Sequence, residues 1–186
     1  LVSGNPILWY GGIRESFTKT TSDNDMGFGA THEIGHVFNT AGNSTWNWND
    51  EMFANFRMYY ALDKLEKAGT ALNLPLSQKP TICTDGVFCT TAAQLEAYYK
   101  KCYDQSFGAT PAKCHHDGIM YILIKIKNRV GWEPFYKTFS DFNSSTVNYS
   151  NLSNYTRFDN FLKALCANAG IDISTVMTTQ EKNLII

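Results

Sequence analysis

The sequence predicts an α+β domain that is mainly helical, and three observations predict it. A short apolar run at residues 7–10, closed by Gly11 and Gly12, has the pattern of a strand ending in a turn, so a small N-terminal β-sheet is expected. Beyond it, apolar residues recur at helical spacing in one segment after another. Capping residues, prolines and glycines punctuate those segments where helices start and stop. A length of 186 residues suits a single domain over 1–186, with a helical C-terminal lobe and a sizeable core.

The helices are expected in the following order. Over residues 25–39, Ala30, Ile34, Val37 and Phe38 recur at helical spacing and are predicted to face the core, with Gly42 ending the segment. Asn49 is a good N-cap for a second helix running through Met52, Phe53, Phe56, Tyr60 and Leu65 to Gly69. Residues 70–90 hold Pro75, Pro80 and Gly86 without a period, which predicts a loop or lid. Thr91 and Gln94 stand at capping-box spacing before a stripe of Leu95, Tyr98, Tyr99 and Cys102. Asp117 is a candidate cap for a helix running to Val130 before Gly131; Pro134 suits the first turn of a helix over 133–142. A last helix is expected over 157–168, before Gly170.

Composition removes several function classes. With 16 Lys+Arg against 17 Asp+Glu and a net charge of −1, no bulk positive charge exists to hold a nucleic acid. The longest apolar run, residues 119–124, is followed by Lys125 and Lys127 and is too short for a membrane span. Opening at Leu1 without an initiator Met or a leader pattern, the chain reads as a mature form or a piece of a longer secreted protein.

Four of the five cysteines, Cys83, Cys89, Cys102 and Cys114, fall in one stretch, which hints at disulfides. Pairing Cys83 with Cys89 and Cys102 with Cys114 closes the shortest loops, although spacing alone leaves three connectivities open. A structural zinc site is disfavoured because no C-x-x-C pair is present. N-x-S/T sequons at Asn43, Asn143, Asn148, Asn151 and Asn154 suit a secreted glycoprotein, and equally an Asn-rich sequence that makes sequons by chance.

The chemistry concentrates in Thr31-His32-Glu33-Ile34-Gly35-His36, an HExxH motif inside a segment that reads independently as a helix. Two histidines four residues apart lie on one helix face, about 5.4 Å apart along the axis, so both imidazoles can converge on one zinc ion. Glu33, one residue after His32, stays beside that site, where it can accept a proton from water as the catalytic base. Catalytic zinc takes three protein ligands and keeps a fourth position open. In the metzincin pattern a Gly and a third His would follow, but those places hold Asn39 and Gly42. A downstream carboxylate is therefore needed. Asp50 and Glu51 are the nearest acids; Asp50 suits the helix dipole, and Glu51, with Asn55 four residues on along the same face, is the candidate third ligand. His115, His116 or a tyrosine could supply an oxyanion donor, although the His115-His116 pair beside Cys114 and Asp117 reads equally as surface residues.

HExGH, a connection containing Trp46 and Trp48, and then Glu51 within NDEMFANFRMYYAL, resemble the enhancin-like, mucin-degrading zinc metallopeptidases of the gluzincin group. Gly131-Trp132-Glu133 with Phe135 and Phe139, and Phe158, Phe161 and Leu162 before Gly170, are similar to that family's later helices; the likeness covers about two thirds of the chain. The resemblance implies a zincin-like fold and a secreted or cell-surface zinc endopeptidase cleaving peptide bonds in extracellular glycoproteins or mucin-like substrates. It implies His32, His36 and Glu51 as zinc ligands, Glu33 as base, and Asn55 where related proteins often carry an Asp that orients a ligating histidine. The alternative from another class is a catalytically silent module that keeps zinc and binds glycoproteins.

Overall fold

The computed structural model describes residues 28–39, 42–67, 91–106, 115–172 and 175–181. Its longer elements are six helices: α1 (Phe28–Asn39), α2 (Asp50–Lys67), α3 (Ala92–Ser106), α4 (His115–Val130), α5 (Glu133–Ser144) and α6 (Asn154–Ala169). No strand occurs among the described residues, so the expected α+β class is corrected to an all-helical one there. The expectation rested on the run 7–10, which lies outside the described residues, as does the loop expected over 70–90. No helix among the described residues is long and apolar enough to cross a membrane.

The chain divides into two compact units that interleave along the sequence. The first comprises Leu1–Phe38 and Glu51–Lys101, the second Asn39–Asp50 and Cys102–Ile186.

In the first unit, α2 supplies most of the buried apolar surface through Met52, Phe53, Phe56, Met58, Tyr59 and Leu62, and α3 adds Leu95 and Tyr99. Tyr59 carries a polar tip and keeps it satisfied by donating to Glu96 Oε2 at 3.2 Å. The start of α3 is set by Thr91, whose Oγ1 accepts from the Gln94 N–H at 3.1 Å, the N-cap half of a capping box. Helix α1 meets α2 at Gly35. A Cβ built there would lie 2.6 Å from the Ala54 carbonyl oxygen, so the two backbones approach more closely than any side chain permits.

In the second unit, α4 is buried nearly all round by Ile119, Met120, Ile122, Leu123, Ile124 and Ile126, as expected of a helix enclosed by its neighbours. It begins at His115, so Asp117 falls inside the first turn rather than capping it. Helix α5 has its proline in the first turn, where the missing N–H costs nothing. Helix α6 begins three residues before the sequence suggests, because Ser153 accepts from the Thr156 N–H at 3.1 Å. It closes on Gly170 at φ 66°, with the Ile171 N–H donating back to the Cys166 carbonyl at 3.0 Å.

The connection 42–49 is pinned to α5 and α6. Trp46 is buried, stacks on Phe161 with centroids 5.6 Å apart, and donates from Nε1 to Asn143 Oδ1 at 3.0 Å. Arg157 reaches back to the carbonyls of Asn47, Tyr149 and Ser150. Cys102 and Cys166 are buried; Cys83, Cys89 and Cys114 lie outside the described residues, and so do the pairings expected of them.

Candidate metal centre

Helix α1 is amphipathic in an unexpected sense. Its buried face is Thr31, His32, Gly35, His36 and Asn39, a stripe at helical spacing made of polar and small residues. The residues predicted to face the core lie outside: Ile34 is 42% exposed, Val37 36% and Phe38 57%. The physical reason is Gly35, which seats this face of α1 backbone to backbone against Ala54 of α2; Ala30's side chain lies outside the description.

That seating brings the predicted ligands together. His32 Nε2 and His36 Nε2 stand 3.0 Å apart, and Glu51 Oε2, from the first turn of α2, is 3.1 Å from the former and 3.6 Å from the latter. Four residues along α2, Asn55 Oδ1 accepts from His32 Nδ1–H at 2.8 Å. Asp50, the competing acid, points its Oδ1 at the side-chain amides of Asn39, 2.7 Å away, and Asn47, 3.2 Å away. Glu33 is half-buried on the next turn position after His32. His115 and His116 open α4, and their side chains lie outside the description.

The donor chemistry fits a cation. With its proton on Nδ1, held by Asn55, His32 presents a bare lone pair at Nε2. That lone pair faces Glu51 Oε2 at 3.1 Å and His36 Nε2 at 3.0 Å, so the three atoms are placed to share one cation. In a tetrahedral zinc site with bonds of 2.0–2.1 Å, neighbouring donors sit about 3.3 Å apart, close to the three separations found here. Among the described residues this is the one cluster of three His, Cys, Asp or Glu side chains placed to hold a metal.

No protein-family model, curated protein or solved structure matches this chain.

What the site can do thus follows from its own atoms. The two imidazoles are buried, whereas the Glu51 side chain is 75% exposed, so the donor set is held from behind and open in front. An open side is what a reactive metal site needs and a closed structural one lacks. A cavity of about 230 Å³ also lies along α1 and α2, lined by Thr31, Ile34, Phe38, Arg57 and Tyr60 among others, but none of the three donors lines it. It is therefore a neighbouring groove and not the chemical centre. The sequence reading missed Gly35 and Asn39. Gly35 sets the distance between the two donor-bearing helices, and Asn39 donates to both the backbone carbonyl and the carboxylate of Asp50. The one available signal was their place on the histidine face, at i+3 and i+7 from His32.

Proposed function

We propose that this chain is a zinc-dependent peptidase in which His32, His36 and Glu51 hold the metal and Glu33 is the catalytic base. The observation that carries the reading is the convergence of the two Nε2 atoms and Glu51 Oε2, with Asn55 fixing the tautomer that leaves the His32 lone pair toward them. When bound, zinc supplies Lewis acidity, lowering the pKa of water and polarising a peptide carbonyl.

The chain's own groups do the rest. Asn55 holds the His32 ring in plane and keeps its proton on Nδ1. The α1–α2 contact at Gly35 keeps the histidines and Glu51 in register. Glu33 takes the proton of the attacking water and returns it to the leaving amine nitrogen, so the peptide C–N bond breaks without a free amide anion. The substrate class, extracellular glycoproteins or mucin-like chains, and a secreted or cell-surface location rest on the resemblance to the enhancin-like peptidases.

The test is elemental analysis of the purified chain, coupled to cleavage of a glycoprotein mixture. One zinc per chain, retained in Glu33→Ala with cleavage lost by at least 100-fold, is the expected result. Glu51→Ala is expected to lose zinc during dialysis. Absence of zinc from the wild-type chain, or undiminished cleavage by Glu33→Ala, would overturn the reading. Zinc without cleavage would favour the silent glycoprotein-binding module.

A further inference from the structure

Of the five sequons, one lies at Asn43 and four fall within residues 143–156, and the structure treats them differently. Asn43 serves as a structural clamp: its Nδ2 donates to the carbonyls of Ser145 at 2.9 Å and Val147 at 2.7 Å, while its Oδ1 accepts from Thr45 N–H and Oγ1–H. A sugar on that nitrogen would remove one of two donors and force bulk into a half-buried joint. Asn143 is half-buried as well, and its Oδ1 receives the indole N–H of buried Trp46.

The remaining three form an uninterrupted tandem, Asn148-Tyr149-Ser150, Asn151-Leu152-Ser153 and Asn154-Tyr155-Thr156. All three asparagines and all three hydroxyl residues are exposed. Among the described residues no hydrogen bond engages the side-chain nitrogen of Asn148, Asn151 or Asn154. Asn148 Oδ1 accepts from the Ser150 N–H at 2.8 Å, an Asx turn that brings the sequon's asparagine and hydroxyl residue onto one side of the backbone. Large apolar side chains are exposed in and beside the strip: Leu152 and Tyr155 within it, Val147 next to it. A glycan's first sugar, with one apolar face, covers such residues.

We propose that residues 148–156 are an N-glycan acceptor strip, and that the sequons at Asn43 and Asn143 remain unmodified. The modification forms an amide-linked glycosidic bond between the asparagine Nδ2 and the anomeric carbon of an oligosaccharide, with a lipid diphosphate as leaving group supplied by the secretory glycosylation machinery. Occupancy of adjacent sites three residues apart is limited by crowding, so one or two sugars per chain are expected. The strip needs the secreted location proposed above but not the metal site, so glycosylation and zinc binding can fail independently of each other.

The test is secretion of the chain from a eukaryotic host, followed by glycosidase release in heavy-oxygen water, which marks each modified asparagine as a labelled aspartate in peptide mass spectra. The expected result is label at one or more of Asn148, Asn151 and Asn154, none at Asn43 or Asn143, and loss of the sugar mass in a variant carrying Asn148→Gln, Asn151→Gln and Asn154→Gln. That variant alters exposed positions only, so it should secrete. An unmodified tandem in the secreted protein, or label chiefly at Asn43 or Asn143, would overturn the proposal.

Discussion

Helices α1 and α6 are both amphipathic, yet they bury opposite kinds of face. Helix α6 buries Phe158, Phe161, Leu162, Leu165 and Cys166 and turns its polar residues outward. Helix α1 buries Thr31, His32, His36 and Asn39 and leaves Ile34, Val37 and Phe38 in solvent. The first arrangement is what lowers free energy, since each fully buried large apolar side chain contributes roughly 1.5–3 kcal/mol. The second gives up that gain. It is tolerated because α2 brings hydrogen-bond partners to the polar stripe, Asn55 for His32 and Asp50 for Asn39. The buried face of α1 is thus set by its hydrogen-bond partners on α2 rather than by apolar burial.

The sharpest way to break this contrast is to damage the aromatic packing alone. Trp46→Ala removes a buried indole that stacks on Phe161 and strands the Asn143 carbonyl oxygen; a loss of about 3–5 kcal/mol in chemical denaturation is expected. A loss below 1 kcal/mol would mean that the cluster is not what stabilises the second unit.

Glu181 offers a second, pH-dependent break. Its carboxylate is fully buried and accepts from Lys125 Nζ, from Tyr103 Oη–H at 2.5 Å and from the Thr178 N–H at 2.6 Å. Burial pushes its pKa up, but the hydrogen bonds from Lys125, Tyr103 and Thr178 outweigh it, and the carboxyl is held below its ordinary value of 4.5. The Tyr103 phenol is pushed far above its usual range by burial and by that carboxylate, so it remains a donor. A group with a depressed folded pKa stabilises above its unfolded pKa and loses that contribution as pH falls through the folded value. Stability should therefore hold down to about pH 4.5 and decline below it. Glu181→Gln should be destabilised by roughly 3 kcal/mol at pH 7, with the gap narrowing at pH 3, as read by urea titration at both pH values.

Gly35→Ala probes the donor-bearing pair directly. The added methyl meets Ala54 backbone atoms at 2.6 and 2.9 Å, so α1 must shift, at a cost of about 1–3 kcal/mol. Zinc retention in dialysis should fall together with stability. Full retention would show that the α1–α2 spacing does not set the donor geometry. At the small end, Phe38→Ser and Ile34→Gln alter exposed positions and should change stability by no more than about 0.5 kcal/mol, although periodicity alone would count both as core. A loss above 2 kcal/mol at either position would reverse the assignment of the buried face.

The legible parts of the fold were those written in local chemistry. Thr91 and Pro134 marked helix starts and Gly131 and Gly170 helix ends, because caps and breakers act through their own backbone. The start of α6 lies three residues before the expected one because Ser153 caps a first turn that is exposed, and the buried apolar stripe begins only at Phe158. The expected fold class differs from the observed one because the run 7–10, on which the sheet rests, lies outside the described residues, and those contain helices and no strand. In the candidate site, the i, i+4 histidines and Glu51 were legible from spacing and residue type; Gly35 was not, since nothing local distinguishes a glycine that merely occurs in a helix from one that a second backbone presses against.

By itself, then, the sequence determined the helix boundaries at Thr91, Gly131, Pro134 and Gly170 and that two imidazoles share one helix face, because both follow from backbone geometry within a few residues. Tertiary structure alone decided that this face is the buried one, that Gly35 is pressed against the Ala54 backbone, and that Asn43 is a clamp while the 148–156 tandem is open. Periodicity identifies a helix's faces but not which of them meets a neighbour. That choice is made by residues far along the chain, whose approach depends on the packing of the whole.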